Sequence, residues 1–278
     1  MILVIGADGL IGGELHRVLR ESGRSVLGTS RRADSEHLHL DLGRAEDFRI
    51  PEGLDVAVIC AGIGSIAECA KAPEKTSLVN IEGTLSIARS LMSEGSRIIF
   101  LSTSLVFDGR SGPAQADAPL HPCCEYGRQK AVVEEAIAGE LVACVRLTKV
   151  VETLRPRFSQ WRSAIEAGQS ISASSALHFS PVSLGETTHA LANLAANFRP
   201  GTFHIFGDEG FTYHRAALCM AEALGLPEDA VEVDQNSGTE FFNPVPVSSA
   251  LAPASPGESY GWRFSPSSST LERFIRSF

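Results

Sequence analysis

Tyr126 and Lys130 stand one helical turn apart in the segment YGRQK. Side chains four residues apart lie on the same face of a helix, so the spacing predicts an ammonium beside a phenol. A nearby positive charge favours the phenolate and lowers the pKa of a tyrosine from about 10. Such a tyrosine can give a proton to a carbonyl oxygen during reduction. In isolation the pair is more often an accident of helix composition, so its meaning depends on its neighbours.

Two hydroxyl residues come earlier in the chain, at the end of a predicted strand. Ser102 and Thr103 directly follow the apolar run Ile98–Leu101. A hydroxyl at a strand end can orient a substrate carbonyl between itself and the tyrosine. Both segments follow a glycine-rich turn near the N-terminus that could bind a cofactor. This order of segments favours catalysis over coincidence.

A glycine-rich turn follows the N-terminal apolar run Ile2–Ile5. Closely spaced glycines let backbone amides approach a pyrophosphate, and the helix that opens there adds partial positive charge. The spacing is GxxGxxG, and its place in the first strand–helix unit is typical of a dinucleotide site. The predicted cofactor-binding residues of this turn are Gly6, Asp8, Gly9, Leu10, Ile11 and Gly12.

The second predicted strand should end at the adenosine ribose, where no carboxylate occurs until Asp34. Arg31 and Arg32 stand there instead. A guanidinium can hold the extra phosphate of NADP by charge-assisted bonds. We therefore predict NADP(H) over NAD(H), with Arg31 ahead of Arg32; the alternative is a solvated arginine pair. Lower-specificity cofactor candidates are Asp41, which could equally cap a turn, with Leu42 after the third strand, and Cys60, Ala61 and Gly62 after the fourth.

Strand and helix patterns alternate through the first part of the chain. The strand candidates are mostly β-branched or continuously apolar, as strands buried on both faces should be. This alternation predicts an α/β fold, a Rossmann-type doubly wound parallel sheet. We predict a dinucleotide-binding domain over 1–150, to which about 183–200 returns, and a smaller C-terminal substrate lobe over 151–278. The strand candidates are Ile2–Ile5, Ser25–Thr29, His37–Leu40, Val56–Cys60, Arg97–Leu101 and Val142–Leu147, and the helical ones Ile11–Glu21, Pro73–Met92 and Glu125–Ala138.

The composition limits the classes of partner that this protein can be expected to bind. The net charge of −9 leaves no basic face for nucleic acid and favours a small-molecule ligand. No apolar run approaches the ~18 residues needed to span a bilayer, and no leader segment is recognisable, so no membrane partner is expected. The six cysteines lack metal-ligand spacing and are predicted to be reduced thiols in a cytoplasmic protein without a metal site.

Together these segments resemble the extended short-chain dehydrogenases/reductases, specifically the dTDP-4-dehydrorhamnose reductase-like group. The stretch Leu101–Gly109, LSTSLVFDG, resembles the STDYVFDG segment of that group, and YGRQK resembles its YGxxK segment. The glycine turn also matches. Weaker similarities at Asn80–Thr84, Ser180–Val182 and Ser248–Leu251 extend the resemblance over most of the chain.

The resemblance implies a role for each member of the trio. Thr103 is the hydroxyl donor, with Ser102 as its alternative; Tyr126 is the proton donor, and Lys130 tunes it and binds the nicotinamide ribose. Asn80 joins the cofactor-binding residues as the helix asparagine of the group. The implied protein is an oxidoreductase that reduces a keto group on a nucleotide-activated sugar or related metabolite, and that forms a homodimer. Lys149 would meet a phosphate or lie on the surface.

Two positions depart from the group's pattern. Ser104-Leu105 stands where the group has Asp-Tyr, and Ala252 stands where an acidic residue is expected. Because Leu105 cannot transfer a proton, an epimerase or dehydratase would need other groups, for which Glu125 and His121 are the nearby candidates. The further alternative is a non-catalytic, dinucleotide-binding regulatory subunit. Adjacent Cys123 and Cys124 could form a redox-sensitive gate or be ordinary small residues.

Overall fold

The computed structural model describes residues 1–110, 112–236, 239–243, 245–246, 248–252 and 262–278. Part of the predicted irregular segment Asn236–Ser259 lies outside these ranges. The strands are β1 (Ile2–Ile5), β2 (Val26–Ser30), β3 (Leu38–His39), β4 (Val56–Ile59), β5 (Arg97–Thr103), β6 (Val142–Leu147), β7 (Lys149–Val150), β8 (Ile171–Ser174), β9 (His178–Phe179), β10 (Pro181–Val182), β11 (Gly201–Ile205), β12 (Phe211–Thr212) and β13 (Val231–Asp234). The helices are α1 (Leu10–Glu21), α2 (Ile66–Lys71), α3 (Pro73–Ser77), α4 (Thr84–Ser93), α5 (Glu125–Ile137), α6 (Arg155–Glu166), α7 (Leu184–Ala196), α8 (Tyr213–Leu224) and α9 (Ser267–Ile275).

A seven-stranded sheet forms the centre of the molecule, in the order β11-β6-β5-β4-β1-β2-β3. Every pairing in it is parallel. The predicted doubly wound parallel sheet is therefore confirmed. The strand order reverses between β1 and β4, and in open α/β sheets ligands bind at the carboxyl ends of the strands beside such a reversal.

The two faces of the sheet are covered by different helices. Successive residues of a strand point to opposite faces, so β1 supplies both layers of the core. Ile2 and Val4 belong to the cluster that contains Leu15 of α1 and Leu191 of α7. Leu3 and Ile5 belong to the opposite cluster, which contains residues of α4 and α5. Burial on both faces explains why these strands read as continuous apolar runs.

Two elements from the second half of the chain join this central layer. Strand β11 pairs in parallel with β6, from Gly201 against Ala143 to Ile205 against Leu147. Helix α7 packs against α1. The sheet is thus completed by residues far along the chain.

The remaining C-terminal residues build a second core around aromatic side chains. Phe158 of α6 lies 5.1 Å from Trp161 and 5.2 Å from Phe274 of α9, measured between ring centroids. The other members of this second core come chiefly from α8 and from the paired strands β8 and β13. No helix in the described part of the chain combines the length and the apolar character needed to cross a bilayer.

The predicted helix Pro73–Met92 is interrupted. Helix α3 gives way to a π-helical segment, Leu78–Gly83, before α4 begins. A π segment adds a residue to the turn and is frequent at functional sites. Here it carries Asn80, whose side chain is buried.

Candidate active site

The turn between β1 and α1 forms a tight cradle. Gly6 has a φ of +91°, which glycine adopts without the cost that a side chain would add. A Cβ on Gly12 would lie 2.2 Å from the carbonyl oxygen of Gly6. Helix α1 begins at Leu10 after Gly9, which has no side chain to cap the first amides. Those amides and the absent Cβ atoms fit the pyrophosphate of a dinucleotide.

Asp8 joins this turn to the end of β2. Its carboxylate accepts hydrogen bonds from the Ser30 hydroxyl and from Arg32 Nε at 3.1 Å. The Ser30 bond first, and then Arg32, hold the pKa of Asp8 below its usual range. Arg31 is exposed, and no ion pair of Arg31 occurs within the described residues.

The other predicted cofactor-binding residues lie just after β3 and just after β4. Asp41 accepts a hydrogen bond from the Gly43 amide at 2.9 Å, so it caps a turn. Leu42 is buried in the core. Ala61 packs against the glycine turn, where a Cβ on Gly6 would lie 2.9 Å away from it. Burial raises the pKa of the neighbouring Cys60 thiol to about 12.

Helix α5 is set closely against the end of β5. The sulfur of Cys124 caps this helix by accepting a hydrogen bond from the Gly127 amide at 3.4 Å. A Cβ on Gly127 would lie 2.0 Å from the carbonyl oxygen of Leu105. The glycine after Tyr126 therefore lets the helix rest on the turn that follows Thr103.

Lys130 is buried on the inner face of α5. Its Nζ donates to the carbonyl oxygen of Leu101 at 2.8 Å and lies 4.6 Å from the ring centroid of Phe100. Burial lowers the pKa of this lysine to about 8. A Cβ on Gly62 would lie 3.9 Å from Nζ and 3.2 Å from Asn80 Oδ1. The structure thus brings Lys130 and Asn80 to the predicted cofactor residue at the end of β4.

Tyr126 is half-buried on the same helix. Burial raises the pKa of its phenol, with the nearby Cys69 and Cys124 contributing in the same direction. The expectation that Lys130 lowers this pKa is wrong for this structure, because the Lys130 ammonium donates to the Leu101 carbonyl and does not act on the phenol, whose burial disfavours the phenolate. The phenol consequently holds its proton at neutral pH.

The two strand-end hydroxyls have different partners. Ser102 donates to the Glu134 carboxylate inside the protein. Thr103 Oγ1 accepts from the Leu105 amide at 3.2 Å, which does not use its own proton. Thr103 is therefore the better placed of the two to donate a hydrogen bond to a substrate.

A buried amide network supports α5 from the cofactor side. Asn80 Nδ2 donates to Gln129 Oε1 at 2.7 Å, and Asn80 Oδ1 accepts from the Ile63 amide at 2.7 Å. Gln129 Nε2 donates to Thr76 Oγ1 at 2.8 Å and to Glu125 Oε1 at 2.9 Å. This network ties the π segment, the loop after β4 and α5 together.

The sequence prediction did not include Gln129, Glu134 or Arg146. Arg146 forms an ion pair with Glu134, from Nη2 to Oε2, at 2.7 Å, and both side chains are 5% exposed. Two signals were available in the sequence. A lone arginine stands in the apolar run of β6, and Glu134 follows Lys130 by four residues on the buried face of α5.

The candidates for other chemistry are differently placed. Glu125 is tied to Arg128 at 2.7 Å and to Gln129, and His121 is exposed. Lys149 is half-buried in β7, which pairs with β10. All six cysteines are free thiols. Cys123 and Cys124 are buried, as are Cys69 and Cys144, whereas Cys60 and Cys219 are half-buried.

Comparison with known families gives a match over nearly the whole chain. The family described as RmlD substrate binding domain matches residues 1–276. The chain belongs to this family. The RmlD family is one of sugar-nucleotide reductase-like proteins, and the predicted resemblance to the dTDP-4-dehydrorhamnose reductase-like group is confirmed.

The curated proteins that are similar to this chain differ from one another in function. The spore coat polysaccharide biosynthesis protein SpsK of Bacillus subtilis is 25% identical over 253 residues, covering 88% of this chain and 86% of the relative. Methionine adenosyltransferase 2 subunit beta of Xenopus laevis is 27% identical, covering 81% and 72%. The dTDP-4-dehydrorhamnose reductase of Streptomyces griseus is 32% identical over 137 residues, covering 49% and 44%.

Solved structures share the RmlD fold. A dTDP-4-dehydrorhamnose reductase from Bacillus anthracis in complex with NADP has a TM-score of 0.80, at 16% identity, covering 100% of this chain and 99% of that one. DesIV, a dTDP-glucose 4,6-dehydratase from Streptomyces venezuelae with NAD and TYD bound, has a TM-score of 0.79, at 19% identity, covering 99% and 95%. Neighbours of the same fold thus bind either nicotinamide dinucleotide.

Proposed function

We propose that this protein is an NADP(H)-dependent reductase of a keto group on a nucleotide-activated sugar or a related metabolite. The observation that carries the proposal is the meeting of two sets of residues at Gly62. On one side lie the glycine turn and Ala61, and on the other Lys130 and Asn80. A phosphate cradle and a tyrosine–lysine helix that converge on one strand end suit carbonyl reduction.

The side chains of this site divide the work. When bound, the dinucleotide supplies the hydride. Tyr126, which holds its proton at neutral pH, donates that proton to the substrate oxygen. Lys130 provides positive charge for the phenolate that remains. Thr103 orients the carbonyl by a hydrogen bond. Gly6, Gly12 and the amides at the start of α1 hold the pyrophosphate.

The preference for NADP(H) is assigned to the end of β2. Arg31 is exposed there and available to a 2′-phosphate. We expect the substrate to enter between the carboxyl ends of the strands and the C-terminal lobe, where Leu105 would offer an apolar side chain. We place the protein in the cytoplasm because its six cysteines are free thiols. A homodimer remains a prediction.

Oxidation of NADPH by the pure protein tests this function. The substrates are a panel of nucleotide-linked 4-keto sugars, and the variant is Tyr126→Phe. We expect turnover by the wild type and a loss of about 10²–10⁴-fold in the variant. Tyr213→Phe, in the C-terminal lobe, is the matched control and should keep the rate. Turnover that survives Tyr126→Phe contradicts the assignment.

A regulatory role is the second candidate. It draws support from the matches to methionine adenosyltransferase 2 subunit beta and from Leu105 in place of the tyrosine of the reductase motif. NADPH binding without turnover over the whole panel, together with co-elution with a methionine adenosyltransferase, favours this role. An epimerase is less well supported, because Glu125 is already held by Arg128 and Gln129.

A further inference from the structure

Asp8 connects the glycine turn to the loop after β2 through both carboxylate oxygens. Oδ2 accepts from the Ser30 hydroxyl and from Arg32 Nε at 3.1 Å. Oδ1 accepts from the Ser35 hydroxyl at 3.3 Å and lies 3.9 Å from His37 Nε2. A carboxylate with this many partners has a fixed position, although its side chain is still 27% exposed.

Arg32 is held at two points by this arrangement. Its guanidinium pairs with Asp8, and its backbone amide donates to Ser30 Oγ at 2.9 Å. The Ser30 hydroxyl in turn donates to Asp8. Arg31 is exposed and does not share this carboxylate. The two adjacent arginines are therefore not equivalent.

The net charge at the end of β2 is less positive than the adjacent Arg31 and Arg32 suggest. Two guanidinium groups read as a strong site for a 2′-phosphate. The Asp8 carboxylate pairs with one of them, Arg32, and so brings a negative charge to the end of β2. The exposed Asp34 and Glu36 follow on the loop, and among the described residues neither forms an ion pair with Arg31 or Arg32.

We propose that Asp8 is a specificity-determining residue that restrains Arg32 and so weakens the discrimination of this protein between NADP(H) and NAD(H). A 2′-phosphate has to compete with Asp8 for Arg32, and the two anions repel each other. A ribose that carries a free hydroxyl meets neither penalty. The inference rests on the dinucleotide site of the proposed function.

The test is calorimetric titration of the intact protein with NADP⁺ and NAD⁺ at fixed ionic strength. Asp8→Asn should tighten NADP⁺ binding by about three- to tenfold, the range of a partly exposed charge interaction, and change NAD⁺ binding less than about twofold. Asp8→Ser should act in the same direction. In an Arg32→Ala background, Asp8→Asn should give a clearly smaller gain. Asp34→Asn removes the same charge from the loop after β2, which carries both arginines, and should leave the ratio of the two dissociation constants unchanged.

Several outcomes overturn the inference. An equal change for both dinucleotides does so, as does a weakening of NAD⁺ alone, which would make Asp8 a ribose ligand. An equal gain from Asp34→Asn would reduce the effect to net charge. Binding of neither dinucleotide would remove both this inference and the proposed function. Binding with the expected Asp8 effect but no turnover would remove only the reductase.

Discussion

Arg146 of β6 and Glu134 of α5 form a buried ion pair directly behind the candidate active site. Arg146 Nη2 lies 2.7 Å from Glu134 Oε2, and Nη1 donates to the carbonyl oxygen of Ala116 at 2.9 Å. Glu134 also accepts from Ser102, the residue before Thr103. The pair thus fixes α5 to the strand that ends at the proposed hydroxyl donor.

Removing one charge of this pair should destabilise the fold strongly. Glu134→Gln leaves the Arg146 guanidinium buried without its anion, at a cost of about 3–5 kcal/mol in the free energy of unfolding. The double change Glu134→Leu with Arg146→Met should cost less than the single one, because both charges are gone. Urea unfolding measures both. Arg162→Ala, which breaks an exposed pair with Glu166, is the control and should change little. A double variant less stable than Glu134→Gln would contradict this account.

Thr103 and Ser102 should separate catalysis from stability. Thr103→Val keeps the shape of the side chain and removes the hydroxyl, so kcat/KM should fall about tenfold or more. Ser102→Ala removes a donor to buried Glu134 and should lower the free energy of unfolding by about 1–3 kcal/mol. Steady-state rates and urea unfolding on both variants check the assignment. The reverse pattern would make Ser102 the hydroxyl that contacts substrate.

The rate should depend on pH through Lys130. Burial lowers the folded-state pKa of this lysine to about 8, so the ammonium is present below that pH and is lost above it. Turnover should therefore fall as the pH rises through about 8, since the phenolate of Tyr126 loses its stabilising charge. A profile of kcat from pH 6 to 10 measures this. Lys75→Met, at an exposed position of α3, should keep the same profile, and an alkaline limb shared by Lys130→Met would exclude Lys130 as its source.

Gly12→Ala should damage dinucleotide binding. The added Cβ would lie 2.2 Å from the Gly6 carbonyl oxygen, so α1 must shift away from the turn. We expect the dissociation constant for NADPH to rise about tenfold or more, because the first amides of α1 lose their alignment. Gly185→Ala, at a helical position with open space around it, is the matched control and should bind normally. Titration followed by NADPH fluorescence gives both values.

Local patterns were enough to predict the sheet and the elements that carry Thr103, Tyr126 and Lys130. Strands buried on both faces leave continuous apolar runs, and the glycine turn and YGRQK are short contiguous segments. The π segment at Asn80 could not be read in this way, because it depends on contacts with Ile63 and Gln129. The polar stretch Ser170–Ser175 contains β8 because β13, far along the chain, pairs with it.

The electrostatics of the site also depended on the fold. Spacing places Lys130 beside Tyr126, but it does not tell how much water remains around the phenol, and burial raises the pKa of Tyr126 instead. From the sequence we rank Arg31 ahead of Arg32, but the sequence does not show that a carboxylate restrains either of them. The pairing of Arg32 with Asp8, which comes from another strand–helix unit, depends on the fold.

The pairing of β11 with β6 has a consequence for how the protein is made. As the chain emerges during synthesis, β6 exists as an unpaired edge until β11 follows, and the face of α1 that α7 covers stays exposed. Unpaired edges template aggregation, and pairing of distant segments is slow to form. A fragment that stops at residue 150 should therefore not persist as an independent folding unit. The second half of the chain completes the layer that carries the glycine turn, so the two halves must mature together.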